Sequence, residues 1–246
     1  MDTDSPKVTV IVVSYNTLDL LRRCLASLRD VHEVIVVDNA SQDGSCAMVE
    51  AEFPSVRLIR NSLNRGFGAA NNQGLASMKG DLALCLNSDA CAEPGAISQL
   101  ASLFSAKDWV AAGGRLLNHD GSEQASCCGT LTLWEVFCEQ SLLEKLFPSS
   151  TLFSPYWLNS RLNGDGPFEV EQCMGACLMF RPLERFDERF FLYCEDTELC
   201  LRLRRHGKIA FLRAAEFHHA LGASSAGYRW KAVARYNRGK ELYFSL

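Results

Sequence analysis

Short apolar runs alternate with helix-like segments through the first part of the chain. The stretch "VTVIVVSY" is a continuous, largely β-branched run, which predicts a buried strand. Leucines at 18, 21, 25 and 28 then keep the spacing of one helix face. Strands are also predicted in "EVIVVD", "VRLIR" and "DLALCL", and helices in "SCAMVEAEF", "GAANNQGLASMK" and "PGAISQLASLF". This alternation predicts an α/β fold with a mainly parallel central sheet covered by helices on both faces.

Polar segments follow three of the predicted strands. They are "SYN", "DNASQDGS" and "NSDA", at the ends of the first, second and fourth strands. In open parallel sheets, ligands bind beyond the carboxyl ends of the strands. The pattern therefore predicts a binding site at this edge of the sheet.

The regular alternation ends near Trp109. Residues 113–130 are rich in loop-forming residues and predict loops over the strand ends, whereas "LWEVFCEQSLLEKLF" predicts an amphipathic helix. Residues 148–167 form a long, irregular, aromatic-bearing segment, which is typical of a lid or binding loop. Residues 168–225 again show strand and helix patterns, and the chain closes on a basic, aromatic stretch, 228–246.

Composition excludes several classes of protein. A formal net charge of −4 gives no basic surface for nucleic acid, so no nucleic-acid partner is expected. The eleven cysteines are scattered and form no C-x-x-C pair, which favours reduced thiols in a cytoplasmic protein. The N-terminus shows no signal-peptide pattern, and the apolar runs are too short for a membrane helix. We expect a soluble protein or one held at the cytoplasmic face of the membrane.

Asp38 and Asn39 follow the second predicted strand. A carboxylate at this position can accept hydrogen bonds from a nucleobase or a ribose. The stretch "DNASQDGS" is equally good turn and helix-capping chemistry. The two interpretations have about equal weight.

The stretch "NRGFGAANNQG" contains Gly66 and Gly68 but does not meet the dinucleotide-binding pattern. The spacing is G-x-G-x-x-N, and the glycines come well after the preceding strand. A helix start with small residues can still present backbone N–H groups to a nucleotide. Close helix packing would explain the alanines, but it leaves the paired Asn71 and Asn72 without a reason.

Asp89 and the pair His218–His219 are candidate metal ligands. Mg²⁺ and Mn²⁺ use few protein carboxylates and complete their shells with water and phosphates, so one aspartate is sufficient. Mn²⁺ also accepts imidazole. The alternatives are a helix N-cap or solvated acid for Asp89, and structural histidines.

Glu195 and Asp196 open the predicted helix "EDTELCLRLRRHG". Acids in the first turn of a helix are ordinary, because the helix dipole favours their ionised form. The functional interpretation is a general base that takes a proton from a substrate hydroxyl. The aromatic residues of the preceding "RFFLYC" would hold the pair in a rigid position.

Together, these stretches resemble the inverting glycosyltransferases of family two, which have the GT-A fold, especially the rhamnosyltransferase-like members. The segments that carry the resemblance occur in the family's order: "VTVIVVSYN", "VIVVDNASQDGS", "NRGFGAANNQG", "LNSDA", "FDERFFLYCEDTELCLRLRRHG" and "FHHALGASS". The resemblance implies one GT-A domain over 1–227, with a nucleotide-sugar-binding half (1–115) and an acceptor half (116–227). Residues 228–246 would form a separate terminal helix.

The resemblance also implies roles for single residues. Asp196 would be the catalytic base with Glu195 beside it, and Asp89 would bind Mn²⁺ or Mg²⁺. His219 matches the histidine of an H-x-x-G-x-S pattern completed by Gly222 and Ser224, from which it could reach the metal or the diphosphate. The nucleotide sugar is expected to contact Ser14, Tyr15, Asn16, Asp38, Asn39, Asn64, Gly68, Asn72, Asn87 and Ser88.

Two features depart from the family pattern. Asn87 replaces the first acid of a full Asp-x-Asp, and residues 131–167, in the region that shapes the acceptor site, match nothing recognisable. A glycan or lipid-linked saccharide is the expected acceptor. The competing hypotheses are a non-catalytic sugar-binding protein and a nucleotide-dependent oxidoreductase. The 228–246 stretch predicts either a packed terminal helix or a contact with an anionic membrane surface.

Overall fold

The first half of the chain forms the predicted parallel sheet. The computed structural model describes residues 6–29, 31–220 and 229–246. Four strands pair in parallel in the order β3-β2-β1-β4. Most of the β-branched and aliphatic residues of β1, β2 and β4 are buried, whereas the edge strand β3 buries none of its residues. The strands are β1 (Val8–Ser14), β2 (Glu33–Asp38), β3 (Arg57–Arg60) and β4 (Leu82–Asn87).

Helices connect these strands and cover the sheet. Residues Leu21, Cys24 and Leu25 of the first helix are buried, as the leucine spacing predicted. In the third helix, a Cβ at Gly74 would lie 2.5 Å from Cγ2 of Ile11, so the absence of a side chain lets this helix lie directly on β1. The helices are α1 (Leu18–Ser27), α2 (Ser45–Glu52), α3 (Phe67–Ser77) and α4 (Ala96–Leu103).

The expectation of loops after residue 112 was wrong for its first part. Residues Trp109–Leu117 form β6, a strand inside the main sheet. Two glycines in its middle interrupt the strand pattern in the sequence. The packing requires them, because a Cβ at Gly113 would lie 2.4 Å from Cβ of Cys173 and one at Gly114 would lie 2.5 Å from the Phe217 ring. The expected division of the domain at residue 115 falls inside this strand.

The second half extends the same sheet. Its order is β3-β2-β1-β4-β10-β6-β11-β5, with β8 paired to β11, and β10 runs antiparallel to both neighbours. β11 is one long strand with a register shift between Leu212 and Glu216, where two separate segments were expected. A small antiparallel pair, β7 with β9, lies apart. The strands are β5 (Ala90–Ala92), β7 (Cys127–Cys128), β8 (Phe168–Val170), β9 (Gln172–Cys173), β10 (Cys177–Phe180) and β11 (Lys208–His219).

The remaining helices lie in the second half. The predicted amphipathic helix over 133–147 is broken in two, because Leu142 has a φ of 62°. Within the described ranges, no helix is long and apolar enough to cross a bilayer. The elements are α5 (Leu133–Gln140), α6 (Leu143–Leu146), a 3₁₀ turn (Asn159–Arg161), α7 (Glu195–Leu203) and α8 (Arg229–Phe244).

Candidate active site

The ends of β1 and β2 place Ser14 next to Asp38 in register. Asp38 is 2% exposed, and its Oδ2 accepts a hydrogen bond of 2.8 Å from the Ser41 backbone N–H. Its Oδ1 is also buried but has no hydrogen-bond partner among the residues that the structure describes. A buried acceptor without a donor is costly, so this atom has the chemistry to receive an N–H or O–H from a ligand.

Tyr15 and Asn16 form the turn beyond β1. Asn16 has a φ of 54°, its backbone N–H donates to Ser41, and its side-chain oxygen accepts from the Gln42 N–H. The turn is therefore tied to the loop after β2, and its amide is already used within the protein. Tyr15 is 44% exposed and follows Ser14, the register partner of Asp38, so its ring is accessible for stacking on a flat ligand.

Hydroxyl groups join the ends of β1 and β4. Ser14 shares a hydrogen bond of 3.0 Å with the Thr17 hydroxyl, which donates to Ser88 Oγ over 2.9 Å. All three side chains are buried. This chain fixes the loop that carries Asp89, so Ser88 has a supporting contact as well as a position at the strand end.

Asp89 meets His219 although the two are far apart in sequence. His219 Nε2 lies 3.2 Å from Asp89 Oδ1 and 3.3 Å from the side-chain nitrogen of Asn87. Pairing of β11 with β5, at His219 opposite Ala90, brings them together. His218 points to the other face of the strand and pairs with Glu93 at 3.0 Å. Gly222 and Ser224, the rest of the expected pattern, lie outside the described residues.

Gln124 determines which nitrogen of His219 carries the proton. The Gln124 amide nitrogen donates to the carbonyl of His219 (2.7 Å) and to Asn118 Oδ1 (2.8 Å), both of which can only accept. The Gln124 oxygen therefore faces His219 Nδ1 at 2.8 Å, and Nδ1 must be the donor. In neutral His219, Nε2 is left with a lone pair directed towards the Asp89 carboxylate.

This arrangement fits a divalent cation. Two electron-rich atoms 3.2 Å apart repel each other unless a proton or a cation lies with them. A carboxylate oxygen with an imidazole nitrogen suits Mn²⁺, and histidine ligands usually donate their second ring N–H to a supporting acceptor, as His219 does. The parts of the chain described by the structure hold no cluster of three or more such ligands, so water or a substrate would have to complete the shell.

The stretch "NRGFGAANNQG" supports the segment that leads to the acidic pair. The Asn72 side chain accepts from the Phe186 N–H and donates to the Phe186 carbonyl and to Glu188. Gly68 packs so closely on Phe186 that a Cβ would lie 3.0 Å from it. The expected contact of Asn72 and Gly68 with a nucleotide stays a prediction, and in this structure both are engaged by the protein.

Asn39 and Asn64 are engaged in a similar way. The Asn39 side chain donates to the Gly66 carbonyl and accepts from Asn61, and Asn64 accepts from the Gly66 N–H. Gly66 itself approaches Phe191 so closely that a Cβ would lie 2.4 Å from the Phe191 carbonyl oxygen. These side chains order the loops around the site, and their direct contact with a ligand also stays a prediction.

Glu195 and Asp196 begin α7 after two residues with left-handed backbone. Tyr193 and Cys194 have φ values of 73° and 66°, a conformation that costs free energy for non-glycine residues and clusters at functional sites. Asp196 Oδ2 accepts from the Gly175 N–H and its Oδ1 from the Thr197 N–H, both at 2.8 Å. The carboxylate is therefore held in one orientation.

Burial raises the pKa of both acids. Burial, and then the neighbouring Asp196 charge, raise the pKa of Glu195 to about 8. Burial also raises the pKa of Asp196, but hydrogen bonds from the Gly175 and Thr197 N–H groups oppose the shift. With a pKa of about 8, Glu195 therefore keeps its proton near pH 7.

Residues 175–176 connect the two parts of the site. The Gly175 N–H donates to Asp196, and the Ala176 carbonyl accepts from the Asn87 N–H over 3.1 Å. The β4 end and the acid on α7 are thereby brought together. Neither Gly175 nor Gln124 was expected from the sequence. For Gly175, the only signal was a glycine in "CMGACLMF" just before a buried strand.

A cavity of about 340 Å³ opens over Glu195 and Asp196. Aromatic rings form much of its wall, with Tyr156 and Trp157 at 5.0 Å between ring centres and Tyr193 and Tyr236 at 6.1 Å. Part of the segment expected to be a lid or binding loop therefore lines this cavity, and so does the terminal helix. The lining residues are Tyr156, Trp157, Gln172, Met174, Tyr193, Cys194, Glu195, Asp196, Thr197, Ala232, Val233 and Tyr236.

Comparison with known proteins agrees with this architecture. The chain is 30% identical over 234 residues to N-acetylglucosaminyl-diphospho-decaprenol L-rhamnosyltransferase of Mycobacterium tuberculosis (strain CDC 1551 / Oshkosh), covering 85% of this chain and 75% of that protein. The fold matches GalNAc-T7 with UDP, GalNAc and Mn²⁺ (TM-score 0.65, 16% identity, 89% of this chain and 44% of that one). It also matches the mannosyltransferase PcManGT of Pyrobaculum calidifontis with GDP-Man and Mn²⁺ (TM-score 0.60, 17% identity, 91% and 59%).

The expected GT-A fold is confirmed by these structural neighbours and by the mostly parallel sheet with helices on its faces. The family model described as "Glycosyl transferase family 2" matches residues 9–156, which include β1 to β4 with the polar loops at their ends. Since that match spans more than half of the chain, and a relative 30% identical is covered over three quarters of its length, the protein is a glycosyltransferase that belongs to glycosyl transferase family 2.

Proposed function

We propose that this protein transfers a sugar from a nucleotide-diphosphate donor to a hydroxyl of a glycan or lipid-linked acceptor, with inversion at the anomeric carbon. The observation that carries the proposal is the placement of Asp196. It is buried, held by the Gly175 N–H, and faces an aromatic-walled cavity beside the strand end that bears Asp89. Glycosyl transfer needs a base that takes the proton of the acceptor hydroxyl and a separate site that binds the diphosphate of the donor.

The donor nucleotide is proposed to lie at the ends of β1 and β2. Asp38 Oδ1, which has no hydrogen-bond partner among the described residues, would accept from the base or the ribose, and the exposed Tyr15 ring would stack on the base. The contacts of Asn16 with Ser41 and Gln42 hold the loops after β1 and β2 together. The Ser14–Thr17–Ser88 hydroxyl chain joins the ends of β1 and β4. Binding therefore requires little rearrangement of these loops.

Asp89 and His219 are proposed to hold Mn²⁺ or Mg²⁺ at the diphosphate. A bound divalent ion supplies charge neutralisation to the departing nucleoside diphosphate, as a Lewis acid does at other phosphate sites. Gln124 keeps the proton of His219 on Nδ1, so that Nε2 faces Asp89 as an acceptor. Asn87, 3.3 Å from the same nitrogen, would donate to it when no cation is bound.

Asp196 is proposed to be the general base. The acceptor hydroxyl gives its proton to the carboxylate as its oxygen bonds to the anomeric carbon, and the bond from that carbon to the diphosphate oxygen breaks. Attack from the side opposite the leaving group inverts the configuration. Burial raises the pKa of Asp196 above its usual value, which strengthens it as a base. The protonated Glu195 avoids a second buried charge next to it.

The aromatic cavity is the proposed acceptor site. The faces of Trp157, Tyr156 and Tyr236 suit sugar rings, which stack on aromatic side chains through their C–H groups. The Mycobacterium tuberculosis relative is named as a rhamnosyltransferase that acts on a decaprenyl-diphosphate-linked sugar. We therefore propose rhamnose as the first donor sugar to test, and a polyprenyl-diphosphate-linked saccharide as the first acceptor. A contact of residues 228–246 with the membrane belongs to this proposal.

The test is an acceptor-dependent assay of nucleoside diphosphate release. Nucleotide sugars, including dTDP-rhamnose and UDP- and GDP-sugars, are first screened by thermal shift with Mn²⁺ and Mg²⁺. We expect one donor to stabilise the protein with the cation present and to be consumed only when acceptor is added. Stabilisation by a donor without any transfer to saccharide acceptors would support a binding protein and contradict the proposal.

A further inference from the structure

Exposed apolar side chains are concentrated on one part of the second half. Among the described residues, seven of the sixteen large apolar side chains that are exposed fall within 133–152. Soluble proteins scatter such side chains singly, whereas a contiguous patch marks an interaction site. We call this patch the α5–α6 surface, formed by Leu133, Trp134, Phe137, Leu142, Leu146, Phe147 and Leu152.

The α5 helix exposes large apolar side chains, which an amphipathic helix normally buries against the core. It buries Glu135 and Cys138 but leaves Leu133 and Phe137 70% and 54% exposed. Glu135 is buried because it completes a capping box with Thr132 at the helix start. The next helix, α6, buries none of its residues. These two helices therefore face outwards with the side chains that would normally enter a core.

The exposed rings are held in fixed positions. Trp134 stacks on Phe137 with 5.4 Å between ring centres, and its indole N–H donates to the Leu152 carbonyl over 2.7 Å. Phe153 contacts both Trp134 and Phe147. A surface organised in this way has little side-chain freedom left to lose on binding, which favours association with an apolar phase.

The surface adjoins the acceptor cavity and α8. Lys240 of α8 forms an ion pair of 2.8 Å with Glu139 of α5. The preceding turns of α8 line the cavity through Ala232, Val233 and Tyr236. The segment that ends the α5–α6 surface continues into the cavity-lining Tyr156 and Trp157. The cavity is thus lined by α8 and by the segment that follows the α5–α6 surface in the chain.

The exposed side of α8 is basic and aromatic. Lys231, Arg235 and Arg238 are exposed, and Trp230 is 70% exposed among them. The single acid of the helix is Glu241, whereas Lys240 is neutralised by Glu139. Apolar rings next to basic side chains are the composition that binds the interface of an anionic bilayer.

We propose that the α5–α6 surface docks on the surface of an anionic lipid bilayer, with the basic side of α8 against the lipid headgroups. The apolar side chains enter the boundary between headgroups and acyl chains, and the mouth of the acceptor cavity is held at headgroup level. The sequence predicted either a packed terminal helix or a membrane contact for residues 228–246, whereas the structure adds the apolar α5–α6 surface, linked to this helix by the Lys240–Glu139 ion pair. Its value for catalysis rests on the proposed lipid-linked acceptor, but the contact itself is independent of transfer.

The test is co-sedimentation of the full chain with vesicles of phosphatidylcholine alone and of phosphatidylcholine mixed with phosphatidylglycerol. The variant Leu133→Gln/Leu146→Gln changes two side chains that are 70% and 69% exposed, so folding is spared. The matched control is Leu63→Gln/Leu183→Gln, which changes two exposed leucines (61% and 51%) in other parts of the chain. A second variant, Arg235→Gln/Arg238→Gln, tests the charge contribution.

We expect the wild type and the control to bind mixed vesicles alike, and the Leu133/Leu146 variant to bind about tenfold more weakly or worse. Loss of each arginine is expected to weaken binding to mixed vesicles by about fivefold, with a smaller effect on neutral ones. Equal binding by all variants, or none by the wild type, would overturn the proposal. So would a wild-type dimer that the Leu133/Leu146 variant converts to monomer, since a second copy would then cover the surface. Thermal shift with nucleotide sugars, done without lipid, keeps this outcome separate from failure of the proposed transfer.

Discussion

Replacement of Glu195 by glutamine tests the electrostatics of the acidic pair. Glutamine has nearly the shape of glutamate but cannot lose a proton. Glu195 is 5% exposed, and burial together with the Asp196 charge raises its pKa to about 8. The ordinary value is 4.5. The substitution therefore removes a carboxyl group whose pKa differs strongly between the folded and the unfolded protein.

The sign and size of the effect follow from proton linkage. Between the ordinary pKa and about 8, the unfolded chain has released the Glu195 proton while the folded protein keeps it. The free energy of unfolding of the wild type therefore falls as pH rises through this window. At about 1.4 kcal/mol per pH unit, this group costs the wild type about 3 kcal/mol at pH 7 relative to pH 4.5. The glutamine variant is not destabilised in this way, because glutamine has no proton to release.

Urea unfolding of both proteins between about pH 5 and pH 9.5, followed by tryptophan fluorescence, measures this difference. We expect the variant to gain stability over the wild type steadily as pH rises and to level off above pH 8. The same substitution at the exposed Glu50 is the matched control, and its difference curve should be nearly flat. A flat curve for Glu195→Gln as well would refute the raised pKa of Glu195 in the folded protein.

Three further substitutions test other parts of the structure. Gln124→Leu removes the acceptor for the Nδ1 proton of His219 and should weaken Mn²⁺ binding by about 10- to 100-fold. Electron paramagnetic resonance of the free ion measures this affinity, and an unchanged value would contradict the assignment of the proton to Nδ1. Asp38→Asn should weaken nucleotide binding by about tenfold in calorimetry, and wild-type affinity would remove Asp38 from the donor site. Gly74→Ala places a Cβ 2.5 Å from Ile11 and should destabilise the fold by about 1–3 kcal/mol in thermal melts, whereas a stable variant would show that α3 can shift.

Strong local patterns made the first half of the fold predictable. Every residue of the run "VTVIVV" is β-branched and nearly all of them are buried, so its strand character is visible in the sequence. β6 was missed because its middle is Gly113–Gly114, where close contact with Cys173 and Phe217 replaces the usual side chains. This strand depends on contacts with residues distant in sequence, so no local sequence pattern indicates it.

The candidate site was predictable only in part. The polar ends of β1, β2 and β4 indicated where it lies, and the family resemblance paired Asp89 with His219. Gln124 and Gly175 contact site residues far away in sequence, so no spacing rule points to them. The opposite holds for Asn72, whose polarity favoured a ligand contact although its amide is used to hold the loop at Phe186.

The most direct test of the proposed mechanism is the Asp196→Asn variant in the acceptor-dependent transfer assay, with donor affinity measured on the same sample. Asparagine keeps the shape of the side chain that accepts from the Gly175 N–H but cannot take a proton from the acceptor. We expect transfer to fall by about 10²- to 10⁴-fold while the donor Kd stays close to that of the wild type. Transfer near the wild-type rate would show that another group is the base, and the proposed mechanism would be wrong.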